Sequence, residues 1–278
     1  MTKILMACLL LTVVCSAMSQ TAEPEALEKG VNFIETKVYS QEENENLLKL
    51  YQGLRVADVS DGMDMVGLPN TGLVDACIHP DWVDLDSLTH QVRGIALTVR
   101  YVPTQRKDRP APEKDFSEWE GQFYNQYSSE TWTQIIQPGH VIVIDDDEFG
   151  DVGTIGSNNI MGWATKGAVG VVTDAGARDT DEVAIEGVPL YVRKKSRGIR
   201  PGRNVLESVN RPISIGGVQV VPGDVVVADG DGVIVVPRDV AEEVALNARG
   251  VLKADKQGRR ALYKELGLPM DQTVEEEE

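Results

Sequence analysis

Arg178 and Asp179 stand side by side at the end of an apolar run, and the polar segment Gly156-Ser157-Asn158-Asn159 opens a short helical stretch earlier in the chain. These residue types suit one chemistry. A guanidinium grips a carboxylate through two parallel N–H bonds. An aspartate is a hard oxygen ligand for Mg²⁺ or Mn²⁺. The first turn of a helix leaves backbone N–H groups unpaired, with the positive end of the helix dipole behind them. Singly, each feature is ordinary: an Arg-Asp pair in a loop is usually a surface ion pair, and a Gly-Ser-Asn-Asn turn is usually a helix cap. In combination they fit a small 2-oxo acid, whose carboxylate needs donors and whose carbonyl oxygen needs a metal.

The elements between the two segments set their distance. A helix of about seven residues ending near Gly167 runs ~10 Å from its N-terminus. Strand Val169 to Thr173 returns over ~17–20 Å. The loop Asp174 to Asp179 therefore arrives beside the helix start.

The surrounding chain reads as α/β. Residues 41 to 66 have helical periodicity (Leu47, Leu48, Tyr51, Leu54, Val56). Asp58, Asp61 and Asp64 lie on one face of it, read as a solvated face with capping roles in preference to a metal cluster. Gln91 to Val102 alternates as a strand. Pro103 to Trp132, polar and carrying three prolines, reads as an insertion with a helix from about Ser117 to Tyr127. A lid over the site and an oligomer contact are both open roles for it. Strands follow at 141–144, 188–192, 218–221, 225–227 and 233–236, then a helix from Asp239 to Lys253. Pro138-Gly139 and Pro222-Gly223 repeat one turn-and-strand pattern, P-G-x-V-x-V-x-D.

The 278 residues are 42% apolar and 26% charged, with a formal net charge of −17. A core can form, and nucleic acid is excluded as a partner by that charge. Lys3, the apolar run Ile4 to Val14 and the small residues Ala17 and Ser19 form a secretory signal peptide cut before Gln20. The run is too short for a membrane span. The expected destination is periplasmic or secreted, and a lipid anchor at Cys15 is the weaker alternative. Residues 20–46 read as a leader, and 251–278 as a helix end with an acidic tail. Cys77, the single cysteine left after cleavage, is read as buried and inert.

Gly156 through Asp179, with Gly167-Ala168-Val169-Gly170-Val171-Val172-Thr173-Asp174 between, resembles the RraA-like family, which includes the 4-hydroxy-4-methyl-2-oxoglutarate aldolases that also decarboxylate oxaloacetate. Gly216-Gly217-Val218, Pro222-Gly223-Asp224-Val225 and Asp229 to Pro237 resemble its C-terminal half, and the likeness spans roughly residues 47 to 250. It implies a swivelling β/β/α sandwich, a homotrimer with sites at subunit interfaces, and a divalent-metal-dependent lyase. By position it assigns Gly156, Ser157, Asn158 and Asn159 to the pyruvate carboxylate, Arg178 to substrate and catalysis, and Asp179 to the metal. The chain departs from the family at Ser157, where the aldolases often carry an acid; Asp147, Glu148 and Asp151 are the nearby acids available to replace it. A non-catalytic RraA-like regulator, or an exported enzyme for another hydroxy or sugar acid, is the alternative.

Overall fold

The computed structural model describes residues 23–106, 115–146 and 150–275. The segment expected to be a signal peptide, Cys15, Asp147, Glu148 and the last three glutamates lie outside them. The chain divides into two units, 1–35 and 36–278. The described part of the first holds one short helix, α1 (Pro24–Lys29). Among the described residues no helix is long and apolar enough to cross a membrane.

The second unit is built on a nine-stranded mixed sheet. Its middle consists of β2 (Val92–Pro103), β3 (His140–Asp145), β5 (Ala168–Ala177) and β6 (Leu190–Lys195), each paired parallel to the next. On one flank β10 (Val225–Asp229) pairs antiparallel with β2 and with β11 (Gly232–Val236). On the other, the two-residue β1 (His79–Pro80) lies antiparallel to β6. β4 (Gly153–Ile155) pairs parallel with the end of β5, and β7 (Asn204–Val209) antiparallel with β2. A separate hairpin, β8 (Ile213–Ile215) and β9 (Val218–Val220), packs across the sheet.

Burial on both faces explains the unbroken apolar runs. In β3, Ile142 and Ile144 face a core shared with Ile160, Trp163 and Val183, whereas Val141 and Val143 face Ile213, Ile215 and Tyr191. The first core seats α5 (Ser157–Ala164) and α6 (Thr180–Glu186). A third cluster packs α2 (Gln41–Tyr51), α3 (Val56–Met65) and α7 (Ala241–Leu266) over β10 and β11.

Several expectations change. The helix read across 41–66 is broken: Gly53 takes a positive φ of 70° and the chain turns before α3 begins. Asp58 is fully buried, accepting the Arg55 N–H and Nε–H at 2.9 Å each. It caps α3, but it is not on a solvated face; Asp61 and Asp64 are. Cys77 is exposed. The insertion helix is present as α4 (Phe116–Tyr127), and both Pro-Gly turns adopt positive φ at their glycine before a buried strand.

Candidate functional site

β4 and β5 run parallel, so their C-terminal ends share one edge of the sheet. α5 starts directly after β4, and Arg178-Asp179 follows β5 directly. Ligands of open parallel sheets sit at such an edge. The two predicted segments do meet there. The Arg178 N–H donates to the Ile155 carbonyl at 3.0 Å. A Cβ built on Gly156 would lie 2.4 Å from Asp179 Oδ2, so the carboxylate rests on the bare Cα of Gly156. The Arg178 stem lies in the same way on Gly153, whose Cβ would come within 2.9–3.2 Å of Arg178 Cβ, Cγ and Cδ.

Each predicted residue now has a place. Gly156 is buried at the N-cap of α5, Ser157 and Asn159 are half-buried, and Asn158 is exposed. Ser157, Asn158 and Asn159 form the first helical turn, where backbone N–H groups have no intrahelical acceptor. The Gly156 N–H differs: it donates to Asn159 Oδ1 at 3.2 Å. Arg178 and Asp179 each keep 39% of their side chain exposed, with Nε and Oδ2 3.7 Å apart. Asp179 occupies the left-handed region at φ 55°, which aspartate tolerates better than most residues. It heads α6, yet its side chain does not cap that helix, which leaves the carboxylate for another partner.

These observations bear on a divalent cation. Mg²⁺ is typically held by one or two carboxylates, with water and substrate oxygens completing its shell. Asp179 supplies one such oxygen donor, exposed and seated in a recess that a Cβ would fill. Among the described residues no group of three or more His, Cys, Asp or Glu lies close enough to cage a metal. The donor set therefore fits a substrate-completed Mg²⁺ or Mn²⁺ site held by Asp179, and it does not fit an all-protein cage.

Asp151, one of the acids available to replace the one absent at Ser157, is paired with Arg197. Its carboxylate accepts Arg197 N–H at 2.9 Å and Nε–H at 2.7 Å, and the Arg197 bonds hold its pKa below the usual carboxylate range. Behind the site, Asp146 is buried and accepts from Thr154 of β4 and from Asn204, so it ties β4 to the sheet. Asp174, next along this edge, has its pKa pushed up to about 7, by burial first and by the Asp145 charge. A folded-state pKa above the unfolded value of about 3.9 means the native state holds a proton that the unfolded chain releases. Asp174 therefore costs stability progressively from about pH 4 to 7. Asp174→Asn is expected to raise the urea midpoint at pH 8 and to leave it nearly unchanged at pH 4; equal shifts at both would refute this.

Sequence reading did not foresee Gly153, Glu130, Arg200 or Tyr124. The Arg200 guanidinium bonds Glu130 and the Tyr101 hydroxyl and stacks near the rings of Tyr101 and Tyr124, at 4.8 and 5.3 Å. Tyr124 of α4 is close enough to sense the charge of Arg178 as well as Arg200, while burial is the main influence raising its pKa. Gly153 had a signal in its spacing from Gly156. The others had none.

A family model described as RraA-like, Aldolase/RraA, matches residues 56–235. A Halalkalibacterium halodurans protein provisionally named a 4-hydroxy-4-methyl-2-oxoglutarate aldolase is 35% identical over 127 residues, 45% of this chain and 59% of that protein. This chain thus aligns with well under two thirds of that relative's length. The crystal structure of an uncharacterized protein from Pseudomonas syringae pv. tomato is 26% identical, covers 83% of this chain and 98% of its own, and superposes with a TM-score of 0.61. Streptomyces coelicolor RraAS2, described as an unusual member of the RNase ES inhibitor RraA protein family, shares the fold at 22% identity and a TM-score of 0.63, covering 78% of this chain and 98% of its own. With its mixed α/β architecture, its paired β4–α5 and β5–α6 units and a family match across most of the sheet, the chain belongs to the RraA-like family.

Proposed function

We propose that this protein is a divalent-metal-dependent lyase that cleaves a C–C bond of a small 2-oxo acid, of the 4-hydroxy-4-methyl-2-oxoglutarate aldolase and oxaloacetate decarboxylase type. The observation that carries the reading is the seating of Asp179 on Gly156, beside both Arg178 and the open first turn of α5. The provisional name of the Halalkalibacterium relative supports it.

In this mechanism the substrate carboxylate accepts N–H groups of Ser157 and Asn158 and a guanidinium N–H of Arg178. Asp179 would hold Mg²⁺ or Mn²⁺, and the chemistry such an ion would supply is Lewis-acid polarisation of the 2-oxo group. Breaking the C–C bond leaves its electron pair on the pyruvate fragment as the enolate; the 4-hydroxyl of the aldol substrate gives its proton to water as it becomes a carbonyl, or CO₂ departs from oxaloacetate, and the fixed charge of Arg178 stabilises the enolate. The proton that quenches the carbanionic carbon comes from solvent, which reaches the site because Arg178 and Asp179 are each 39% exposed. Under this reading the substrate is a small 2-oxo acid and the working assembly is the homotrimer implied by the resemblance.

Purified protein with Mg²⁺ or Mn²⁺ is expected to release pyruvate from oxaloacetate or from 4-hydroxy-4-methyl-2-oxoglutarate, followed by coupled oxidation of NADH. EDTA should stop the release. Activity that survives the chelator, or none with any 2-oxo acid, sinks the reading. One observation favours a second reading, a non-catalytic binding protein: Ser157 stands where a carboxylate would serve as base. That reading predicts binding of oxalate without turnover.

A further inference from the structure

In the connection between β2 and β3, Glu130 lies at the start of α5. Glu130 Oε1 accepts from Asn159 Nδ2 at 2.7 Å and from the Arg200 guanidinium; Oε2 accepts from Trp163 Nε1 at 3.0 Å. All three groups are donors, and an ionised carboxylate only accepts. Glu130 therefore decides which end of the Asn159 carboxamide faces it. The amide nitrogen must turn toward Glu130, and Oδ1 is left to accept the Gly156 N–H at 3.2 Å. Gly156 is the residue on which the Asp179 carboxylate rests.

A continuous line of polar contacts thus runs from the interior to the ligand cradle: Arg200, Glu130, Asn159, Gly156. Its inner end is buried at Arg200. The Arg200 side chain is 2% exposed and that of Glu130 23%. Buried ion pairs of this kind contribute little net stability compared with apolar packing, and their best-attested use is to fix one arrangement among several. Here the arrangement fixed is the entry of the chain into α5.

We propose that Glu130 is a positioning residue, braced by Arg200, that locks the Asn159 carboxamide onto the Gly156 amide and so presents the N–H groups of Ser157 and Asn158 to a carboxylate ligand. The end of this connection at Glu130 is then a strut for the cradle. This inference rests on the carboxylate-binding half of the proposed function and not on C–C cleavage.

Two variants test it. In Glu130→Gln one N–H donor faces another whichever way the carboxamide turns. Asn159→Ala removes only the link, leaving Glu130 its bonds to Arg200 and Trp163, so the fold should persist. Oxalate with Mg²⁺ is the probe, titrated calorimetrically, and Gly156 amide hydrogen exchange is followed by NMR in ligand-free protein. Both variants are expected to weaken oxalate binding about tenfold, the scale of one lost hydrogen bond. Gly156 exchange should accelerate by about the same factor, with the melting temperature of Asn159→Ala close to wild type. For any 2-oxo acid that the wild type cleaves, KM should rise while kcat changes little. Wild-type oxalate affinity or wild-type Gly156 protection in Asn159→Ala overturns the proposal, as does a wild-type protein that does not bind oxalate. If the wild type binds oxalate and cleaves nothing, the lyase reading fails and the affinities alone decide the brace.

Discussion

Asp179→Ala is expected to lower kcat/KM for pyruvate release by at least about 10²–10³-fold, the range seen when a preorganised electrostatic contact is removed from an active site. Among the described residues no group of three or more His, Cys, Asp or Glu stands ready to take over a cation. The fold should survive. Asp179 makes no helix-capping bond, and its partner Arg178 is 39% exposed, so no buried charge is stranded. The left-handed backbone adds a cost of about 1–2 kcal/mol for alanine, or roughly 2–4 °C of melting temperature per kcal/mol for a chain of this size. Asp179→Asn separates the two effects. Asparagine tolerates the left-handed region but carries no charge, so its stability should match wild type while activity is lost. Steady-state kinetics at saturating Mn²⁺, with thermal melts of both variants, decide the matter. An active Asp179→Asn protein would remove Asp179 from the chemistry.

The meeting of Gly156 with Asp179 was legible from the order helix, turn, returning strand, although β5 runs on to Ala177, so that residues 174–177 are strand and not the expected loop. A short helix and a returning strand leave few places for the loop after β5 to go, and Gly167 marks the turn with a φ of 109°. The parallel strands were legible because burial on both faces writes them as continuous Val/Ile runs. What escaped the sequence depends on partners far along the chain. Glu130 binds Asn159, Trp163 and Arg200, which are 29, 33 and 70 residues away. No local pattern predicts such contacts. Asp58 was misplaced because its exposure was judged from helical spacing, whereas Arg55 one turn earlier supplies the charge that lets it be buried. β7 was missed because Asn204-Val205-Leu206-Glu207-Ser208-Val209 is short and only partly buried. α7 runs to Leu266, past Lys253, because helix formers continue after the apolar stripe has ended.

Gly156→Ala isolates the geometry of the site from its stability. Gly156 has φ −139° and ψ 179°, extended backbone open to any residue, so alanine brings no conformational strain there. The glycine serves space instead. An added Cβ would lie 2.4 Å from Asp179 Oδ2 and 3.3 Å from its Cγ, and only the carboxylate can yield. To reach ordinary contact the carboxylate must swing by about 1 Å, and displacements of that size cost on the order of 10²-fold in rate. The expected result is therefore a kcat/KM reduced about 10²-fold with an unfolding free energy within about 1 kcal/mol of wild type. Gly153→Ala provides the contrast. Its Cβ would meet Arg178 Cβ at 2.9 Å, an atom fixed to the backbone, so β4 itself must shift and stability should fall along with activity. Urea titrations and kinetics of the two variants distinguish the cases. Wild-type turnover in Gly156→Ala would mean that the position of the Asp179 carboxylate does not matter to the reaction, and the assignment of the metal to that residue would fall with it.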